Sequence, residues 1–225
     1  MKVVIVGAGG HGQVVADMIA AGARVGGDVL QLAGFLDDDP ALVGAQVGGV
    51  PVLGNLGSIE RVTAGAFVVA IGSNSERARI GERLQSAGLL QVSVHHPHSS
   101  VSRNATIGDG TMVSAGAVVV TGSRIGRGVI LNTGCTVDHH GHVGDYVHIA
   151  PGVHLGGEVM IGGRTLVGIG AIVLPRCRVG DGCTIGAGAV VIGDVPDGAT
   201  VVGVPARPLP SPSGRGVMSH FLVDR

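Results

Sequence analysis

From Val101 onward, one position in six is aliphatic without a break. Val101, Ile107, Val113, Val119, Ile125 and Leu131 open a series that runs to Val191, sixteen consecutive positions occupied only by Ile, Leu or Val. Four residues after each stands something mostly small, such as Ala105, Thr111, Ala117, Ser123 or Cys135. Glycine often follows the aliphatic residue directly, as in Ile107-Gly108 and Val179-Gly180. A period of six fits neither an α-helix nor an ordinary strand. It does fit a chain wound as a triangular prism, with a short strand on each face and a corner between faces. The small residue and the next aliphatic are two apart, so both point inward. Three hexads then make one coil of eighteen residues, and coils stack at the inter-strand spacing of about 4.8 Å.

Such a prism explains how the chain can have a core with no Trp, one Tyr and three Phe. Aliphatic ladders replace the buried area that aromatics usually supply, and many of the 42 glycines serve the corners. Glycine does not recur at every third position, which excludes collagen. A content of 45% hydrophobic against 14% charged residues excludes disorder. With 15 basic and 16 acidic residues there is no electrostatic case for a nucleic-acid or membrane partner. Cys135, Cys177 and Cys183 all take the small inward position, so they read as packing thiols rather than catalysts, ligands or disulfide partners. An odd number of cysteines, an N-terminus without a secretion pattern and no apolar run of about 18 residues lead to the expectation of a soluble cytoplasmic protein.

Residues 1–95 follow different rules. Strands are expected at Lys2–Val6, Leu32–Leu36, Phe67–Ile71 and Leu90–Val94, with helices over Gln13–Ala21 and Ser75–Ala87, the second opened by Ser73 and Asn74. This alternation predicts a small Rossmann-like α/β unit. Residues 96–209 then form the repeat domain, with a tail over 210–225. Gly7-x-Gly9-x-x-Gly12 has the mechanics of a phosphate loop, because glycines let backbone N–H groups and a helix N-terminus approach closely. A nicotinamide dehydrogenase needs a second βαβ half and a substrate domain, for which the unit has no room. Two readings stay open: a different diphosphate-bearing ligand, or glycines serving a tight turn. Asp37 and Asp38, after the second strand, stand either against a ligand's base or sugar or as solvated turn carboxylates before Pro40.

Five histidines fall between 139 and 154. His142, His148 and His154 each follow an aliphatic by five, which turns them outward on three successive faces, too far apart to share a metal ion. Asp138-His139-His140 occupies a corner, where His139 stacks between Thr121 and Gly157. A glycine above a histidine leaves room and an accessible N–H beside an imidazole, a geometry suited to a base next to a carbonyl-polarising donor. A merely polar surface corner is the alternative.

Six stretches carry a family resemblance: Val4-Ile5-Val6-Gly7-Ala8-Gly9-Gly10-His11-Gly12, Gly34-Phe35-Leu36-Asp37-Asp38, Ala70-Ile71-Gly72-Ser73-Asn74, Val137-Asp138-His139, Gly144 to Gly152, and Gly203-Val204-Pro205-Ala206-Arg207. Together they resemble the hexapeptide-repeat sugar acetyltransferases of the bacillosamine-pathway N-acetyltransferase and sialic-acid O-acetyltransferase family. The resemblance implies an α/β Rossmann-like domain followed by a left-handed parallel β-helix, a homotrimer with active sites between neighbouring prisms, a nucleotide-linked sugar and acetyl-CoA. It makes His139 the general base and Gly157 the backbone donor to the thioester. Gly9, Gly10, His11, Asp37, Asp38 and Asn74 become sugar-nucleotide contacts. His148, Gly157, Gly168, Ile169, Gly170, Ala187 and Arg207 become acetyl-CoA contacts, and no metal is required. Family members often carry a carboxylate directly after the catalytic histidine. Here that residue is His140, and Asp138, which precedes His139, is the catalytic carboxylate expected to serve in its place. The implied reaction is direct N-acetylation of a UDP- or GDP-linked 4-amino sugar. Its rivals are O-acetylation, a non-catalytic sugar-nucleotide-binding trimer, and a gamma-class carbonic anhydrase, for which the histidine spacing is wrong.

Overall fold

The computed structural model of the protein describes residues 1–25, 28–62 and 64–209, so the expected tail at 210–225 lies outside the described residues. The N-terminal unit is a sheet of β1 (Lys2–Val6), β2 (Gln31–Leu36), β3 (Gln46–Val47), β4 (Val50–Gly54) and β5 (Ala66–Val69), in the order β3-β4-β2-β1-β5. β1, β2, β4 and β5 run parallel, and β3 closes a hairpin on β4. β1 and β5 are nearly continuous apolar runs, as strands covered on both faces must be. Helix α1 (Gly10–Ala20) covers one face and α2 (Asn74–Ser86) the other, with Ser73 Oγ capping α2 through the N–H of Glu76.

Sequence reading missed β4 and placed a strand at Leu90–Val94. That segment instead touches β5 through a single bridge, Phe67 to Gln91. It then leaves the sheet, because the N–H of Val94 bonds Thr111 of the next coil. Val94–His95 is thus the first rung of the prism.

The prism has three faces of parallel two-residue strands. Face 1 begins at Val94–His95, face 2 at Ser100–Val101 and face 3 at Thr106–Ile107. Partners are eighteen residues apart, as in Ile107 with Ile125 and Leu131 with Ile149. The last coil is shorter: Ile185 pairs with Val201 and Val179 with Val195. The aliphatic positions from Val113 to Val191 are all buried, as are Cys135, Cys177 and Cys183. Burial pushes the Cys135 thiol up to about 12, so it is no nucleophile.

The corners follow a second period. Fourteen successive residues at six-residue spacing, from Gly110 to Gly188, have a left-handed backbone, and nine of them are glycine. The five exceptions are His140, Tyr146, Glu158, Arg164 and Arg176, with φ between 56° and 66°. Left-handed backbone costs a residue with a Cβ roughly 1–2 kcal/mol. These exceptions are confined to two of the three vertices. The vertex between faces 1 and 2 carries only glycine, at Gly116, Gly134, Gly152, Gly170 and Gly188.

The N-terminal unit docks on face 1. Val15 and Met18 of α1 share one core with Val94, Met112 and Ile130, the outward residues of the first three rungs. Farther along the same face the outward residue becomes His148, and the junction turns polar.

Candidate active site

The β1–α1 loop is built for close approach. Gly7 has φ 101°, and a Cβ at Gly12 would stand within overlap distance of Gly7 O, so helix and strand meet too tightly for any side chain. Gly9 and Gly10 face open space, and the first N–H groups of α1 lie outside the helix's own bonds. Asp37 holds this loop: its Oδ2 accepts from Ala8 N at 2.7 Å and its Oδ1 from Asp39 N at 2.9 Å. Asp38 Oδ1 accepts from Leu56 N at 2.8 Å. Both carboxylates therefore order the crest of the sheet, at the carboxyl ends of β1 and β2 where open α/β sheets bind ligands.

His11, at the start of α1, lies 6.3 Å from His148, centroid to centroid. Asn132 Nδ2 is 3.3 Å from His148 Nε2. Beneath them runs Arg77, fully buried and without a carboxylate partner among the described residues. It donates to the carbonyls of Gly128, Ile71, Gly72 and Tyr146 at 2.7–3.1 Å, and to Asn74 Oδ1 at 2.7 Å. Asn74 Nδ2 in turn donates to Arg164 O and Thr165 O, both at 3.1 Å. Its side chain clasps the two domains instead of reaching into the loop crevice. Sequence reading missed Arg77, although it lies on the inward stripe of α2 with Gly81 and Leu84.

Burial, with a smaller contribution from the Arg77 charge, depresses His11 to about 4 and His148 to about 3. Both imidazoles are neutral in the folded protein, while the unfolded chain protonates them below its ordinary value of 6.5. The sign follows from linkage: their stabilisation is complete above pH 6.5 and is lost as pH falls toward 4 and then 3. We expect the melting temperature to drop with acid over that window. A His148→Gln variant should flatten the slope in thermal melts against pH, and an unchanged slope would contradict this account.

His139 sits at the vertex between faces 2 and 3. Its imidazole lies directly over Gly157: a Cβ there would stand 2.5 Å from both Cε1 and Nε2. The N–H of Glu158 donates to His139 O at 2.9 Å, which fixes the two corners relative to each other. Asp138 Oδ1 accepts from the backbone N–H of His139 at 2.6 Å, while the ring Nδ1 of His139 faces Nδ1 of His140 at 3.2 Å. Gly157→Ala must displace the imidazole. We expect kcat to fall at least tenfold while the melting temperature hardly moves, measured by steady-state kinetics and calorimetry. Wild-type kcat in that variant would show the ring position to be immaterial.

A groove of about 600 Å³ opens on face 3, three residues past His139, lined by His142, Met160, Arg178, Asp181, Asp194 and Asp197. Gly168, Ile169, Gly170 and Ala187 stand at the vertex between faces 1 and 2, with Ile169 61% exposed. Arg207 is on the short strand that pairs with Thr200–Val202 at the end of face 1. The sequence-derived site residues thus form three groups: the loop crevice with His148 on face 1, the His139 vertex opposite face 1, and the Gly168–Gly170 vertex. One prism holds them apart. Among the described residues no group of three or more His, Cys, Asp or Glu is placed to hold a metal ion, and no helix is long and apolar enough to cross a membrane.

The fold and the three groups define a hexapeptide-repeat transferase with an N-terminal α/β unit. Residues 2–84 match the family described as the PglD N-terminal domain, and residues 158–193 match the bacterial transferase hexapeptide (six repeats). The acetyltransferase domain of PglB from Neisseria gonorrhoeae, solved also with acetyl coenzyme A, is 42% identical, covering 92% of this chain and 99% of that one with a TM-score of 0.85. A variant of the perosamine N-acetyltransferase from Caulobacter crescentus, in complex with CoA and GDP-perosamine, is 34% identical over 94% of this chain and 98% of that one, with a TM-score of 0.86. The UDP-N-acetylbacillosamine N-acetyltransferase of Bacillus subtilis is 36% identical over 116 residues, about half the length of that curated relative (51%). The chain belongs to the hexapeptide-repeat sugar acetyltransferases with a PglD-type N-terminal domain, the family of the bacillosamine-pathway N-acetyltransferases.

Proposed function

We propose that the protein transfers an acetyl group from acetyl-CoA to the amino group of a UDP- or GDP-linked 4-amino sugar. Residues 1–95 bind the nucleotide sugar, 96–209 carry the transfer, and the working unit is a cytoplasmic homotrimer. The observation that carries the reading is the His139 imidazole lying over Gly157 at an exposed vertex. The amine nitrogen attacks the thioester carbon while its proton passes to His139 Nε2. The C–N bond forms, the C–S bond breaks, and CoA leaves as the thiol with the proton that His139 gives up. The N–H of Gly157 supports the oxygen on which charge develops.

Separation of the three residue groups favours an oligomer in which one protomer's His139 meets another's loop crevice. The proteins solved with acetyl coenzyme A, and with CoA and GDP-perosamine, support both ligand classes. A thiol-release assay with acetyl-CoA and either GDP-perosamine or a UDP-linked 4-amino sugar tests the function. We expect turnover with one of these and none with the corresponding 4-hydroxy sugar. Release with the hydroxy sugar alone would move the assignment to O-acetylation. A monomer by sedimentation would overturn the assembled site.

A further inference from the structure

At the His139 vertex, three coils in succession place a residue with a Cβ in left-handed backbone: His140, Glu158 and Arg176, stacked above Gly122. Such strain persists where the side chain is needed. Glu158 and Arg176 pair with each other at 3.4 Å. His140 does something else. Its ring lies on the bare face of Gly122, where a Cβ would come within 2.7 Å of Cδ2. From that seat its Nδ1 meets His139 Nδ1 at 3.2 Å, with the two rings nearly edge-on at 75°. The Asp138 carboxylate is the obvious alternative partner, but it is turned to the backbone N–H of its neighbour.

We infer that His140 is the positioning residue for the base, with an imidazole doing the work of the orienting carboxylate. This rests on the reading of His139 as the base. Two facing nitrogens at hydrogen-bond distance need one proton between them. With that proton on His139 Nδ1, His140 Nδ1 accepts, and the lone pair of His139 Nε2, beside Gly157, is left free, as deprotonating an amine requires. When Nε2 takes the substrate's proton, the same bond becomes charge-assisted and strengthens, so His140 stabilises the imidazolium. The two glycines, Gly122 under His140 and Gly157 against His139, are the seats that let the rings meet.

Three variants test this by kcat, the KM for acetyl-CoA and melting temperature, with acetyl-CoA and the amino-sugar nucleotide that the wild type turns over. His140→Gly removes both the acceptor and the backbone strain. We expect a higher melting temperature together with a kcat lowered about 10- to 100-fold and a KM within twofold of wild type. A side chain serving only the corner would show the same gain in melting temperature with kcat unchanged, which would overturn the inference. His140→Asp, which tolerates left-handed backbone and can accept from Nδ1, is expected to recover kcat to within about threefold of wild type. Failure to exceed the glycine variant, with wild-type melting, would also overturn it. His139→Ala is the control: if that variant stays active the base assignment itself fails, whereas loss of activity there with a fully active His140→Gly refutes only the positioning role.

Discussion

His139→Ala lowers kcat by about 10²–10⁴-fold, the usual contribution of a positioned base, while acetyl-CoA still binds. An ammonium has no lone pair, and even a neutral amine must shed a proton once it has bonded to the thioester carbon. At this vertex the exposed imidazole is placed for that task. Asp138 is committed to a backbone N–H. The three thiols are buried, and burial raises those of Cys135 and Cys177. Loss of the ring leaves an opening above Gly157, so the fold has nothing to accommodate. The measurement is kcat by thiol release, with acetyl-CoA affinity by calorimetry as the companion. Turnover within threefold of wild type would remove His139 from the mechanism, and a lost affinity for acetyl-CoA would make it a binding residue instead.

Arg77→Met should destabilise the junction by several kcal/mol, because the buried oxygens it serves lose their donor. One guanidinium satisfies carbonyls of Gly128 and Tyr146 on the prism, carbonyls of Ile71 and Gly72 after β5, and the amide oxygen of Asn74. Methionine fills the volume and leaves those oxygens buried without donors, each at about 1–3 kcal/mol. Burial already holds Arg77 down to about 9, so the network maintains its charge against a real desolvation cost. The prism coils pair with one another independently of α2. The α/β unit is therefore expected to melt first, roughly 10 °C or more below the wild-type transition, as a separate calorimetric peak. Arg77→Lys should not rescue it, because a point charge with three donors cannot span acceptors on two domains. A single unshifted transition in Arg77→Met would mean that the apolar contacts of α1 alone hold the domains together.

The prism was legible because its signal is local and repeated: a six-residue period forces every inward position to be aliphatic or small, and one missed hexad would have broken the register. The His139–Gly157 stacking was legible for the same reason, since eighteen-residue periodicity converts sequence spacing into vertical neighbours, and the Gly-rich loop was legible because its three glycines fall within six consecutive residues. The left-handed corner positions were also present as a period, but nine glycines masked the five residues that matter there. Leu90–Val94 looked like a sheet strand because it is apolar, yet its hydrogen bonds go to Thr111 of the prism. Hydropathy does not say which partner an apolar segment will choose.

What the chain determined unaided was a coiled prism, a glycine loop opening a helix, and an imidazole stacked on a glycine. Each depends only on residues at fixed separations along the polypeptide. Tertiary structure alone decided that Asn74 clasps the domains, that Arg77 is the buried cation joining them, that Asp37 and Asp38 brace the crest of the sheet, and that His140 faces the His139 ring. Those roles depend on where a side chain points and on which lone pairs and protons already have partners, and for Asn74 and Arg77 such accounting closes only when the two domains meet.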